Sequence, residues 1–287
     1  MRINSINQSY LKSAFPHKIP FHGNVNCREN VSYHPALKVG QVIDPNTKGI
    51  FNRNTTCYFR NDLDWLKFGQ YLEDRFQGQD KINTYIWGCS EGDEAYSLVM
   101  LAHSIKNGSK FYPIQAMDIM PHLINANKTR QKTDIFIGMR ELERIRSAVG
   151  YKNIKKVLES PPPRIAGMVK LKDEIKDKVE FSCSNIVTDM DKIDNSTPAL
   201  VMCRNMWPYI DSDLYDSCAK TLYNKLKKGS SVVIGTFDLE GDYHIIGSDN
   251  FPDSLIYAGF KPVDTAQGKV EKYKGSRKPF LIYEKPY

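Results

Sequence analysis

The stretch TYIWGCSEGDEAYSLVMLAHSIK, residues 84–106, indicates the fold of this chain. It begins with a short apolar run that predicts a buried strand, and from residue 93 it has the apolar spacing of an amphipathic helix. Gly88 and Gly92 lie between the two and allow the chain to turn sharply. A strand that runs through a tight turn into a helix predicts a βαβ unit and therefore a parallel sheet.

Strands and helices continue to alternate outside this stretch. We predict further strands at 113–119, 179–186, 199–205 and 231–237, with helices at 62–76, 121–131 and 212–229, the last of which has Ser212 as N-cap and Gly229 as stop. FKPVD (260–264) and FLIYEK (280–285) have no helix between them and predict a hairpin with one antiparallel strand at the sheet edge. The predicted fold class is α/β, a Rossmann-like, doubly wound, mainly parallel sheet of seven strands.

Two regions do not follow this alternation. Residues 1–50 are rich in Asn, Ser, His and Pro and predict an irregular N-terminal arm, which leaves 51–287 as the main domain. Residues 132–178 predict an atypical insert within that domain. It has helices near 139–148 and 151–159, followed by three consecutive prolines that must end a helix.

The composition is that of an ordinary globular protein and places few limits on function. Of the 287 residues, 41% are hydrophobic and 25% are charged, which argues against a fibrous or disordered chain. No apolar run approaches the roughly 18 residues of a membrane helix, and the N-terminus has no apolar signal segment. We therefore expect a cytoplasmic protein without membrane insertion.

Charge and cysteine usage bear on partners and metals. The net charge of +7 permits an acidic protein as acceptor, whereas we expect no nucleic-acid partner and a monomeric chain. The six cysteines include neither a C-x-x-C pair nor a Cys/His cluster with zinc-ligand spacing. We expect reduced thiols and no metal site.

Candidate site residues follow the predicted strands, because ligands of doubly wound sheets bind beyond the carboxyl ends of the strands. The turn with Gly88, Ser90 and Gly92 brings backbone N–H groups to the start of a helix and suits an anionic group. An ordinary strand–helix turn is the alternative. Asp118, at the end of the second strand, is suited to accept hydrogen bonds from a ribose diol, and a helix N-cap is the alternative there.

Three further segments carry candidate side chains. Asn185 lies at the end of the third strand. Arg204 lies at the end of the fourth, where a buried charge needs either a carboxylate partner or a ligand. Tyr209 follows a Trp-Pro pair that fixes the chain direction. NTTCYFR (54–60) precedes the first helix and, taken alone, is explained as a capping segment with a surface arginine.

Together these segments resemble the chemotaxis receptor glutamate methyltransferases, the CheR-like family of class I S-adenosylmethionine-dependent enzymes. NTTCYFR is similar to the family's N-x-T-x-F-F-R, SEGDEAYS (90–97) to S-T-G-E-E-P-Y-S, and AMDI (116–119) to A-T-D-I. VEFSCSNI (179–186) is similar to V-x-F-x-x-x-N-L, and MCRNMWPYID (202–211) to F-C-R-N-V-x-I-Y-F-D. The five motifs occur in the family's order over about residues 50–240, and that order makes the resemblance specific.

The resemblance implies a protein-glutamate carboxyl O-methyltransferase that takes its methyl group from S-adenosylmethionine. The segment at 54–60 would close over cofactor and acceptor, the glycine turn would hold the methionine end, and the later strand ends would hold the ribose and adenine and line the reaction chamber. The implied catalytic residues, which position the acceptor, are Arg60 and Tyr209. The implied cofactor-binding residues are Asn54, Thr56, Gly88, Ser90, Gly92, Asp93, Asp118, Asn185, Ile186, Arg204 and Asn205.

The chain also departs from the family pattern. Asp93, Ala95 and Trp207-Pro208 replace the usual residues, and residues 1–50 show no counterpart of the family's basic N-terminal helical domain, which argues against retained receptor docking. Two other hypotheses stay open: a methyltransferase of the same fold with another protein or small-molecule acceptor, and a non-catalytic cofactor-binding interaction module. The basic loop KVEKYKGSRK (269–278) predicts a solvated hairpin loop, with docking of an acidic surface as the alternative.

Overall fold

The computed structural model describes residues 41–43, 50–52, 56–159, 167–239, 251–266 and 280–287. The predicted arm up to residue 40, the three prolines, Asn54 and the basic loop at 269–278 lie outside these residues. The described strands are β1 (Gln41–Ile43), β2 (Ile50–Asn52), β3 (Asn83–Trp87), β4 (Ile114–Asp118), β5 (Phe136–Gly138), β6 (Leu158–Glu159), β7 (Met168–Leu171), β8 (Val179–Cys183), β9 (Ala199–Met202), β10 (Ser231–Val233), β11 (Lys261–Val263) and β12 (Ile282–Glu284).

The α-helices alternate with these strands along most of the chain. They are α1 (Trp65–Arg75), α2 (Asp93–Ser104), α3 (Pro121–Gln131), α4 (Met139–Val149), α5 (Ile154–Val157), α6 (Asp173–Lys176), α7 (Ile186–Asp189), α8 (Tyr215–Lys225) and α9 (Phe251–Ala258). Helix α9 was not predicted from the sequence.

Seven strands of the described residues form one sheet in the order β11-β12-β10-β9-β3-β4-β8. The five strands from β10 to β8 run parallel to one another. The predicted Rossmann-like, mainly parallel sheet of seven strands is therefore confirmed. The predicted hairpin is also present, but its second strand, β12, inserts between β10 and β11 and is antiparallel to both. The antiparallel strand thus lies one position inside the edge.

A second sheet lies within the predicted insert. Strand β7 pairs with β5 and with β6, both antiparallel, to give a small three-stranded sheet. The helix predicted at 151–159 is shorter than expected, because its last two residues form strand β6. Strands β1 and β2 form a separate antiparallel pair that includes residues on both sides of the boundary predicted at residue 50.

Helix α2 lies at the centre of the packing. Its residues from Ala95 to Ala102 are all buried, which departs from the one-sided apolar stripe of a surface helix. The reason is that α2 packs against the sheet and also against α4, α5 and α6 of the insert. A helix covered on several sides is held in a fixed position, and its first turn therefore offers a rigid platform beside the end of β3.

Candidate active site

The predicted site residues meet at one edge of the sheet. Gly88 directly follows β3, Asp118 ends β4, and Arg204 lies two residues after β9. The strand register pairs Trp87 with Met117 and Ile86 with Met202, so these three ends are level with one another. The edge is the one beyond the carboxyl ends of the strands, where doubly wound sheets bind ligands.

The turn after β3 has a backbone that strongly favours glycine. The φ angles of Gly88, Ser90 and Gly92 are 72°, 49° and 83°, all in the left-handed region. A Cβ atom at Gly92 would lie 2.9 Å from Oδ1 of Asn127 in α3, so the close approach also requires glycine. The N–H of Cys89 donates to the carbonyl of Met117 at 2.9 Å and fixes the turn to the end of β4.

Asp118 joins the turn to the end of the second strand. Its Oδ2 accepts from the N–H of Ser90 at 2.9 Å, and its Oδ1 accepts from the N–H of Met120 at 3.0 Å. The N-cap of α3 is Met120, so Asp118 does not act as the helix cap that was the alternative prediction. Burial raises the pKa of Asp118, and these backbone donors oppose that shift.

These groups fit the ribose and amino acid parts of a nucleoside cofactor. A carboxylate accepts about four hydrogen bonds, so a ribose diol can bind Asp118 without displacing its two backbone donors. The Oγ of Ser90 is buried and has no hydrogen-bond partner within the described part of the chain. An unpaired polar atom in the turn and an acid at the adjacent strand end are the donor and acceptor set that such a ligand needs.

Asn185 lies two residues beyond β8 rather than at its end. Its side chain accepts from the N–H of Val187 at 3.0 Å and so caps the short helix α7. The cap ends the strand earlier than predicted, because Asp189 in turn accepts the N–H of Asn185. Ile186 is buried under this cap, and Ser184 donates its N–H to the carbonyl of Asp118, which ties α7 to the end of β4.

Arg204 has two carboxylate partners. Its Nη1 donates to Oε2 of Glu94 at 2.6 Å, and its Nη2 forms a short ion pair with Oδ1 of Asp62. The side chain of Arg204 is 0% exposed, and its guanidinium also lies 5.4 Å from the ring centre of Trp65. Of the two predictions for this arginine, the carboxylate partner is therefore present, and its part in cofactor binding stays a prediction.

The pKa values of the two acids around Arg204 are shifted in opposite directions. Burial favours the neutral form of both carboxyls. For Glu94 this effect outweighs the attraction of Arg204 and Arg60, so its pKa is raised. The pKa of Asp62 is nevertheless lowered, because Arg204 and the N–H of Thr236 stabilise its charge. Arg60 is close enough to influence both acids and is half-buried. It thus lies beside the cluster that joins α2 to the end of β9.

A third acid holds the turn that follows Arg204. Asp238 is buried and accepts three backbone N–H groups, from Asn205 at 2.6 Å, Trp207 at 3.0 Å and Gly235 at 2.7 Å. Burial raises its pKa to about 7, although the three donors oppose the shift. The strand predicted to reach residue 237 ends at Val233, because the chain turns back to bring Asp238 under this loop.

The remaining predicted residues lie near this edge with less defined roles. Tyr209 ends a 3-10 turn, Trp207–Tyr209, and is half-buried, as are Thr56 and Asn205. Asn205 has a φ of 58° and its side chain lies so close to Gly235 that no Cβ fits there. Asp93 is the first residue of α2, and its carboxylate pairs with Arg130 at 2.8 Å. Their catalytic and cofactor roles stay predictions.

Sequence reasoning missed several residues of this edge. Asp62, Glu94, Asp238 and Arg130 were not singled out, and each is now seen to hold a predicted residue in place. An indication existed for Glu94, which occupies the second acidic position of the S-T-G-E-E-P-Y-S pattern. No group of three or more metal-binding side chains occurs in the described residues, nor does any helix there have the length and apolarity to cross a membrane.

The strand order, the glycine turn after the first parallel strand and the acid that ends the second are the arrangement expected of a nucleoside-cofactor enzyme of the doubly wound class, and the family match below makes it an S-adenosylmethionine-dependent methyltransferase. S-adenosylmethionine is the cofactor, and the acceptor is not specified by these features. A family model described as "CheR methyltransferase, SAM binding domain" matches residues 54–240. The chain belongs to the CheR methyltransferase family.

Individual relatives are more distant. A Pseudomonas putida protein named "Putative methyltransferase Cher3" is 28% identical over 156 residues, and the match spans 54% of each chain, about half the length of that relative. A TehB-like methyltransferase from Corynebacterium glutamicum has 12% identity over 77% of this chain and 88% of its own, with a TM-score of 0.38. The glycopeptide N-methyltransferase MtfA, solved with sinefungin, has 9% identity over 79% and 88%, with a TM-score of 0.39.

Proposed function

We propose that this methyltransferase forms methyl esters on glutamate side chains of an acidic protein in the cytoplasm. The observation that carries the proposal is Arg60, which ends the motif NTTCYFR and lies within electrostatic reach of Asp62 and of Glu94 in the first turn of α2. Arginine is the side chain best suited to orient a carboxylate, because its planar fork matches the two carboxylate oxygens. A carboxylate acceptor is thus the chemistry that an arginine at this place favours.

Methyl transfer to a carboxylate requires the protein mainly to align the acceptor with the methyl group. S-adenosylmethionine supplies a methyl group on a positively charged sulfur, which a nucleophile can displace in line. A glutamate is ionised at neutral pH, since its ordinary pKa is about 4.3, so no general base is needed. Arg60 and Tyr209 orient the acceptor, and proximity of this kind can account for much of the rate. Exclusion of water from the edge makes the carboxylate a stronger nucleophile.

The strength of the Arg60 contact must stay moderate. A tight ion pair with the acceptor would lower the reactivity of the nucleophile. The acids Asp62 and Glu94 reduce the net positive field of Arg60, because both carboxyls lie within electrostatic reach of its charge. The arginine can then align a carboxylate without holding it too firmly.

Methyl transfer from labelled S-adenosylmethionine to proteins of a bacterial lysate tests the acceptor class. Carboxyl esters hydrolyse in mild base and release volatile labelled methanol, whereas N-methyl and ordinary ether products do not. The proposal predicts that most protein-bound label becomes volatile after base treatment. Label that stays on protein, or that enters small molecules only, would point to a different acceptor.

Substitution of Arg60 and Tyr209 tests their assignment. Arg60→Ala and Tyr209→Phe are expected to lower turnover while the dissociation constant for S-adenosylhomocysteine changes little. The matched control is Arg146→Ala, which removes an arginine whose pair with Glu143 is on the surface of α4. Loss of cofactor binding without a separate defect in turnover would move Arg60 or Tyr209 to the cofactor side.

A further inference from the structure

Helix α3 holds the glycine turn through two of its side chains. Asn127 donates from Nδ2 to the carbonyl of Ser90 at 2.7 Å, and Arg130 donates from Nη1 to the carbonyl of Glu91 at 2.7 Å. The two residues are three apart in the helix and therefore lie on the same face. Consecutive carbonyl groups of the turn are thus bound by consecutive turns of one helix.

Arg130 also contacts two other segments. The same Nη1 pairs with Oδ1 of Asp93 at 2.8 Å, and Nη2 donates to the hydroxyl of Tyr58 at 2.6 Å. Its guanidinium lies 5.8 Å from the ring centre of Tyr58 and 5.6 Å from that of Tyr96. One side chain therefore joins α3, the first turn of α2 and the segment that leads into Arg60.

A second link fixes the same segment to α2. The N–H of Phe59 donates to Oγ of Ser97 at 2.9 Å, and that hydroxyl donates to the carbonyl of Asp93 at 2.6 Å. Tyr58 and Phe59 are both buried, so the two links act on either side of a short, anchored piece of chain. Arg60 follows directly, and its position depends on this anchor.

The side chain of Arg130 remains partly exposed to solvent, unlike that of Asn127 beside it. Its side chain is 30% exposed and that of Asp93 is 13% exposed, whereas Asn127 is 2% exposed. A charge that keeps access to water adds little to global stability, because solvent screens its ion pair. Its bonds to a carbonyl, a carboxylate and a phenol nevertheless fix three groups relative to one another.

We propose that Arg130 is a positioning residue that couples the cofactor turn to the acceptor arginine, Arg60. The inference rests on the proposed function, which assigns Arg60 to the acceptor. It extends that function by naming the residue that fixes the position of Arg60 relative to the glycine turn. Asn127 binds the turn but not the Arg60 segment, and Ser97 binds the Arg60 segment but not the turn, whereas Arg130 binds both.

The experiment compares four single variants with the wild-type chain. Arg130→Met removes all three contacts, Arg130→Lys keeps the charge without the fork, and Tyr58→Phe removes only the bond to the Arg60 segment. Arg146→Met is the control, since its arginine also lies in a helix and pairs with a carboxylate at 2.6 Å, but that carboxylate is Glu143 of the same helix. Binding of S-adenosylhomocysteine is measured by calorimetry, and backbone hydrogen exchange is followed in 56–60 and 88–93.

Arg130→Met is expected to weaken S-adenosylhomocysteine about tenfold, as for loss of a charge-assisted hydrogen bond network, and to speed exchange in both segments. Arg130→Lys should recover part of the affinity through Asp93. Tyr58→Phe should speed exchange in 56–60 while the dissociation constant stays within about twofold of wild type, since the turn keeps its bonds to α3. The control should match wild type in both measurements.

Two results would overturn the inference. In the first, Arg130→Met leaves both segments and the affinity unchanged. In the second, it speeds exchange evenly over the whole domain, which would mean that Arg130 only stabilises the fold. Neither readout uses an acceptor, so a failure of carboxyl methylation in the lysate assay would leave this test valid and separately decided.

Discussion

Two arginines contact neighbouring acids in the first turn of α2, and their surroundings differ. Arg204 pairs with Glu94 and Asp62, and its side chain is 0% exposed. Arg130 pairs with Asp93, and its side chain is 30% exposed. One arginine is sealed between the sheet end and α2, while the other reaches in from α3 and keeps contact with water.

The difference in burial predicts that the two arginines have different roles, one in the stability of the fold and one in the geometry of the site. A sealed charge that loses its partners leaves uncompensated charge in the interior, which costs several kcal/mol. A charge that keeps contact with water loses far less, because the solvent screens it. We therefore expect the Arg204 side of the helix start to support the fold and the Arg130 side to set the geometry of the site.

The largest expected effect is that of Arg204→Met. It leaves Glu94 and Asp62 buried without their counter-charge and should lower the free energy of unfolding by about 3–5 kcal/mol. Arg146→Met, at an exposed pair, should change it by about 0–1 kcal/mol. Urea unfolding curves measure both. A loss below about 1 kcal/mol at Arg204 would mean that the pairing contributes little and would remove the contrast with Arg130.

Alanine substitutions at two glycines test how closely α3 packs on the glycine turn. Gly92 and Gly78 have φ angles of 83° and 75°, but a Cβ would lie 2.9 Å from Oδ1 of Asn127 at Gly92, whereas nothing lies within 4 Å at Gly78. Gly78→Ala should cost about 1–2 kcal/mol for the left-handed backbone alone. Gly92→Ala should cost about 1–3 kcal/mol more, because the side chain overpacks the contact with α3. An equal loss in the free energy of unfolding for the two variants would show that α3 does not pack closely against the turn.

The pH dependence of stability tests the Arg204 side further. Asp238 has its pKa raised to about 7 by burial, and an unfolded aspartate has about 3.9. Between these values the folded state binds more protons, so stability should fall as pH rises and level off above pH 7, by at most about 1.4 kcal/mol per pH unit. The titration belongs to the whole pocket, because Arg204 also faces this carboxyl.

Asp238→Asn isolates that contribution. The variant cannot titrate, so the stability of wild type relative to the variant should fall from pH 4 to pH 7. A relative stability that instead rises over this interval would mean that the N–H groups of Asn205, Trp207 and Gly235 outweigh burial and hold the carboxyl ionised.

The sequence predicted the features that local patterns determine. A short apolar run, two glycines and a helical period identified β3, the turn and α2, and the same alternation predicted the sheet. Gly88, Gly92 and Asp118 could be placed at one edge, because parallel strands end together. The resemblance then gave Arg60 and Tyr209 their implied catalytic role, which no local rule would have assigned.

The parts that stayed hidden depend on contacts between distant residues. Arg204 lies 142 residues from Asp62 and 110 from Glu94, and Arg130 lies 72 from Tyr58. No spacing rule connects such positions. Strand ends were misplaced for a local reason, because Asp238 accepts the N–H of Gly235 and Asp189 accepts the N–H of Asn185, and these N–H groups would otherwise continue β10 and β8. The helix α9 was missed, and its place beside α8 is seen only in the folded chain.

The central claim is that S-adenosylmethionine binds at the edge formed by the glycine turn and Asp118. Calorimetric titration of S-adenosylhomocysteine into wild type, Asp118→Ala and the control Asp74→Ala, whose acid is exposed on α1, tests it most directly. We predict that wild type and Asp74→Ala bind alike and that Asp118→Ala binds more weakly by about 1.5–3 kcal/mol, with a folded domain in each case. Equal affinity of Asp118→Ala and wild type would contradict the account and place the cofactor elsewhere.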